Sequence, residues 1–268
     1  MLKILFDAKK AKKHPLEMML IAIFYSSISI FLGSWIFPEY SSLIIIFLTV
    51  FSCSYIIQSS IKIEETKEKN YNTESFLLKE HSKLLKILLF LFIGFVVSFS
   101  FWSFILSEEK ISTLFSLQEE TIKGVRSMAV TGDAINKDVF KIIFLNNLKV
   151  LSLSFLLALF YGAGAIFVLT WNASIMGLVI GTLSKNLGSI FAMPVAFTKY
   201  FLHGIPEMLS YLIIILAGGI ISTSIIKGDI LKDGKTRRII TDTIILVIIS
   251  ISLMTVAALI EVYISPLI

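Results

Sequence analysis

The chain has a single cysteine, Cys53, so no disulfide framework can staple it. Charge is scarce too. Only 16% of the residues are Asp, Glu, Lys or Arg, against about 25% in soluble domains. There are 5 prolines and 3 histidines. No phosphate-binding or dinucleotide glycine loop, no His-Glu-x-x-His and no Gly-x-Ser-x-Gly elbow is present. These absences leave the nucleotide-dependent reading without a motif and the zinc-protease and serine-hydrolase readings weak; an intramembrane enzyme using His203 and Glu207 is the least favoured of three hypotheses. No catalytic residue, metal or cofactor is expected, and the chain does not read as an enzyme. The net charge of +5 fits basic loops beside an anionic membrane surface and not nucleic-acid binding. No 20–50-residue repeat and no low-complexity segment is visible.

What remains is apolar: 56% of the 268 residues are hydrophobic and 22 are Phe. Six runs are long enough for the ~20 residues a bilayer crossing takes: Leu16–Phe37, Ser41–Ile61, Leu84–Leu106, Leu148–Trp171, Ile205–Ile226 and Ile239–Ile264. Their apolar content is too even for alternating membrane strands. The expected fold is all-α, a polytopic helical membrane protein forming one integral membrane domain over 1–268. It has six or seven transmembrane helices, because Ile175–Leu202 is apolar but broken by Ser184-Lys185-Asn186, Gly188 and Pro194. That segment reads as one broken crossing or as a re-entrant hairpin, which is tolerated only inside protein or along a wet cavity.

Basic residues favour the crossing. The tail 1–15 holds five Lys, the loop 62–83 five Lys, and Lys227–Arg238 three Lys and two Arg. A single crossing by Ile175–Leu202 puts all three in the cytoplasm, with a cytoplasmic N-terminus in a multi-pass cell-membrane protein. The basic start runs into a full-length apolar segment with no small-residue cleavage site, so the first helix is expected to stay. The segment 107–147 is then extracytoplasmic, and Asp138–Val150 within it reads as an interfacial helix capped by Asp138. Lys86, Asp242 and Glu261 lie near span ends and are expected to snorkel to the interface.

Polar residues inside hydrocarbon ask for a reason. Lys199, His203 and Glu207 recur at four-residue spacing. In His203-Gly204-Ile205-Pro206-Glu207 the structural reading is a tight turn: Gly204 ends one helix in the left-handed conformation and Pro206 opens the next. The functional reading is a polar pocket that binds a proton, a metal or a partner's polar group. One His and one Glu fall short of a zinc site. Asn147 and Asn172 flank the fourth run, where amides cap helix ends or line a cavity with Lys185. Gly162, Gly164, Gly177, Gly181, Gly218 and Gly219 form small-residue faces, which let membrane helices approach closely.

Taken in order, Asn146-Asn147, Gly162-x-Gly164, Asn172, Gly177, His203-Gly204 with Glu207, and Ala217-Gly218-Gly219 resemble the integral membrane family of stage II sporulation protein M. The resemblance covers 138–226, and the Ile205-Pro206 pair between Gly204 and Glu207 departs from its pattern only by stiffening the turn. It implies a membrane scaffold that recruits partners, not a hydrolase. The function expected is therefore a non-catalytic assembly factor in the lipid bilayer, with a membrane-protein partner or a second copy of itself. The alternative is a transporter or channel using a polar site around Lys185, Lys199, His203 and Glu207.

Overall fold

The computed structural model describes residues 15–68, 74–130, 136–159, 163–226 and 235–265. All regular structure among them is helical: α1 (Pro15–Ile36), α2 (Ser41–Glu68), α3 (Glu74–Ile105), α4 (Glu108–Leu114), α5 (Ser116–Val130), α6 (Asn136–Leu159), α7 (Ala163–Asn186), α8 (Met193–Ile226) and α9 (Lys235–Leu259), with a π-helical turn at Ile260–Ile264. Among the described residues six helices are long and apolar enough to cross a membrane: Leu16–Ile36, Leu85–Ile105, Asp138–Leu159, Ile166–Asn186, Tyr200–Ser222 and Ile239–Ile264. A shorter apolar stretch covers Pro38–Ser54. The protein is an all-α, multi-pass membrane protein. The tail 1–14 and part of the loop 62–83 lie outside the described residues.

Two compact units divide the chain. The first contains residues 1–117 and 169–182. Here α1 stops at Ile36 because Pro38 has no N–H to continue the ladder, and the 3₁₀ turn Pro38–Tyr40 leads straight into α2. Ser41 Oγ lies 3.1 Å from the Thr113 carbonyl, and the Leu117 N–H donates to Ser42 Oγ at 3.3 Å. These bonds tie α4 and its exit to the start of α2. Helices α1 and α3 touch at Gly94, where a Cβ would strike the Met19 carbonyl and lie 2.7 Å from Ala22 Cβ. Beyond that contact, Ser27 Oγ and Ser98 Oγ are 3.2 Å apart, and the Trp102 indole donates to Ser27 Oγ at 3.0 Å. The middle of α7 joins this unit. Gly177 and Gly181 lie on α3, a Cβ at Gly177 falling 2.5 Å from Phe99 Cβ and one at Gly181 2.7 Å from Ser103 Cβ.

The second unit contains residues 118–168 and 183–268. Helices α8 and α9 are antiparallel, because His203 meets Ser265 at one level and Ser210 meets Ser250 at another. Helix α6 packs on both. Ile143 joins Ala258 and Val262 in a buried cluster, and Gly218 lies against Phe155 and Ala158. Ser222 Oγ donates to the carbonyl of Leu159 at 2.8 Å, a bond that joins α8 to the end of α6.

These contacts correct the sequence-based boundaries. Leu148–Trp171 is not one span: α6 ends at Leu159 and α7 begins at Ala163. Asp138–Val150, expected as an interfacial helix, is the first half of α6. Helices α6 and α8 run in the same direction, since Ile143 lies near α9's C-terminal end as His203 does. The chain between them therefore runs back in the opposite direction, and α7, long and apolar enough to cross a membrane, lies in that stretch. The break comes after Asn186, where Gly188 takes φ 71°. Its N–H donates to the Lys185 carbonyl at 2.9 Å and that of Ser189 to the Ser184 carbonyl at 3.4 Å. This is the paired bonding that closes a helix on a left-handed glycine. The left-handed glycine expected at Gly204 is not there. Helix α8 passes through Gly204 and Pro206 without ending.

Candidate functional site

Helix α8 continues through Pro206 at the loss of one backbone bond. The ring removes the N–H that the Leu202 carbonyl would accept. A turn at this depth would free several backbone groups where no water can take them, so the helix is the cheaper path. Its continuity puts His203, Glu207 and Tyr211 on one face at four-residue spacing. Glu207 lies about 10 Å along the span that begins at Tyr200.

The face is met by the end of α9. His203 Nδ1 and Ser265 Oγ are 3.1 Å apart, and the Tyr200 ring stands edge-on to the imidazole at 6.1 Å between centroids. The Tyr211 hydroxyl, on a side chain only 1% exposed, donates to Glu207 Oε1 at 2.9 Å. Ser210 Oγ donates to the Glu207 carbonyl at 2.7 Å. The carboxylate of Glu261 is close enough to interact electrostatically with both Glu207 and Tyr211. Glu261 sits in the π-helical turn, which the Ser265 N–H closes onto the Ile260 carbonyl. Single π-turns recur at functional sites because the extra residue re-aims side chains. Here it occurs where Glu261 and Ser265 face α8.

Of the residues singled out from sequence, His203 and Glu207 are brought together on α8, with Gly204 buried between them. The side chain of Lys199 lies outside the described residues, as do Gly162 and the side-chain environment of Gly164. Asn147 is buried on α6. Asn172 is half-buried in the part of α7 that belongs to the first unit, and Lys185 is half-buried at α7's end. Gly177, Gly181 and Gly218 sit at close helix approaches, whereas a Cβ at Gly219 meets nothing within 4 Å. Three participants escaped sequence reasoning: Tyr211, Glu261 and Ser265. Tyr211 continues the Lys199–His203–Glu207 spacing, which was signal enough. Glu261 lies near the end of its span, as expected, and interacts electrostatically with Glu207 as well.

Chemically, the cluster can bond α8 to α9, or hold a proton or small cation between two carboxylates. Among the described residues no group of three or more His, Cys, Asp or Glu is placed to hold a metal ion.

No curated protein and no solved structure matches the chain significantly. Residues 86–266 do match a family model, that of stage II sporulation protein M. They take in α6 to α9 with the whole polar cluster, and most of the chain's length. The chain belongs to the stage II sporulation protein M (SpoIIM) family.

Proposed function

We propose that this protein is a non-catalytic membrane scaffold whose α8–α9 pair is held in shape by the polar cluster. One observation carries this reading: the cluster's groups are engaged with one another. His203 bonds Ser265 across the two helices, and Glu207 accepts from Tyr211. Polar side chains in hydrocarbon that satisfy each other fix helix register and position. That is what a rigid docking framework requires. The experiment is a pull-down from native membranes in mild detergent, comparing wild type with a His203→Ala, Glu207→Gln double variant at equal expression. A specific partner held by wild type and lost by the variant is expected. No partner in either sample overturns the reading.

A second reading, transport, is favoured by the approach of Glu261 to Glu207 beside a π-turn. Carboxylates inside spans often mark ion or proton paths. It requires that Glu207→Gln abolish a flux of protons or a small cation into liposomes. Folded wild-type protein that conducts none of the ions tried removes this reading.

The N-terminus is assigned to the cytoplasm. The basic stretches 1–15, 62–83 and 227–238 then share one side, a reading supported by six helices long and apolar enough to cross, α7 among them, together with the shorter apolar stretch Pro38–Ser54. A reporter fused within 62–83 that is active only outside the cell would reverse it.

A further inference from the structure

Helix α6 has two unlike faces. Ile143, Asn147, Leu151, Ser154 and Ala158 are buried. On the opposite side Leu145, Leu153 and Leu156 are 44%, 49% and 52% exposed, and they flank Lys149, which is also exposed. An open groove runs along this side, lined by Leu145, Leu148, Lys149, Ser152, Leu153 and Leu156. Apolar exposure alone needs only lipid. Lys149 does not fit lipid. It lies roughly 15 Å from either end of the span Asp138–Leu159, beyond the reach of a lysine side chain to the headgroups. Lysines inside spans almost always face a bundle interior or a paired charge. Among the described residues no carboxylate pairs with Lys149. Asn146, one position before it, is exposed as well. Ser152 needs nothing further, since its hydroxyl donates to the Leu148 carbonyl at 2.8 Å.

We infer that the Lys149 face of α6 docks a transmembrane helix of another protein that presents an Asp or Glu at mid-membrane. Charge complementarity selects this occupant. Lipid tails offer Lys149 no anion. A second copy packed two-fold through the same face would bring Lys149 towards its own counterpart, and like charges are costly at low dielectric. A helix bearing a carboxylate supplies the missing charge, and the exposed leucines on either side give it an apolar bed. The proposal rests on the scaffold reading and names the chemistry of the partner.

The test uses the full chain in native membranes, with the photo-crosslinking amino acid p-benzoylphenylalanine replacing Leu145 or Leu153. The expected product is a heterologous adduct whose crosslinked peptide is a transmembrane segment containing Asp or Glu. Its yield should fall at least tenfold in Lys149→Met and persist in Lys149→Arg. Gel filtration in detergent checks that each variant remains folded, and removing a membrane-buried charge does not oppose insertion. Adducts to lipid alone, to a second copy, or within the same chain overturn the proposal. So do a partner whose yield ignores Lys149→Met and the absence of any adduct at both positions. If the pull-down retains a partner that depends on His203 and Glu207 while α6 captures none, the scaffold reading stands and this docking face falls.

Discussion

Adjacent glycines on α8 offer a comparison in which most confounding effects cancel. A Cβ at Gly218 would sit 2.7 Å from Ala158 Cβ and 2.8 Å from the Phe155 carbonyl. Both neighbours belong to α6 and neither is the free end of a flexible side chain. A methyl there must push α6 and α8 apart or forfeit their contact, and overpacking of this kind costs about 1–3 kcal/mol. At Gly219 the same methyl meets nothing within 4 Å. Alanine in place of a helical glycine otherwise stabilises by about 0.5–1 kcal/mol through backbone entropy. That gain is common to both sites. Gly219→Ala should therefore be neutral to stabilising, and Gly218→Ala should lie about 1–3 kcal/mol below it. The measurement is equilibrium unfolding in mixed micelles by SDS titration, followed by far-UV circular dichroism. Equal stabilities for the two variants would refute the claim that α6 and α8 approach to backbone contact at Gly218.

Two further outcomes follow from the described contacts. Tyr211→Phe removes the donor to Glu207 Oε1 and should destabilise the fold by about 1–3 kcal/mol, the usual consequence of stranding a buried polar group; the same titration checks it, and an unchanged midpoint contradicts the bond. Cys53 is fully buried, so the native protein in mild detergent should resist a maleimide that labels it quickly after denaturation, and rapid labelling of the native protein would show that α2 is not packed as described.

The helices themselves were legible in composition, because runs such as Leu84–Leu106 leave no alternative to a crossing. Their junctions were less so. Leu148–Trp171 is apolar throughout, and hydropathy measures transfer into lipid without recording where the hydrogen-bond ladder stops. It therefore hides the junction between Leu159 and Ala163. At the end of α7 the sequence was more open: Lys185-Asn186 followed by Gly188 is a helix stop, and Gly188 takes the left-handed conformation such a stop uses.

The motif His203-Gly204-Ile205-Pro206-Glu207 shows why rules learned in water transfer poorly to a span. In water a Gly followed by Pro marks the end of one helix and the start of another, since solvent satisfies whatever backbone groups are released. In hydrocarbon the same break leaves groups with no partner, and each costs several kcal/mol. Carrying a proline within the helix forfeits the bond to the Leu202 carbonyl and crowds that carbonyl with the ring, about 3 kcal/mol in all, still less than releasing several groups. The balance favours continuity, and continuity has a chemical consequence. A turn would have splayed His203 and Glu207 apart. An unbroken α8 instead aligns them with Tyr211 and presents all three to Glu261 and Ser265 on α9. The polar cluster is thus a product of the helix surviving its own breaker. Inserting two alanines after Gly204 keeps the helix but turns Glu207 and Tyr211 about 200° away from the His203 face, so the SDS-titration midpoint should fall, and an unchanged midpoint would show that the alignment of these side chains does not hold α8 to α9.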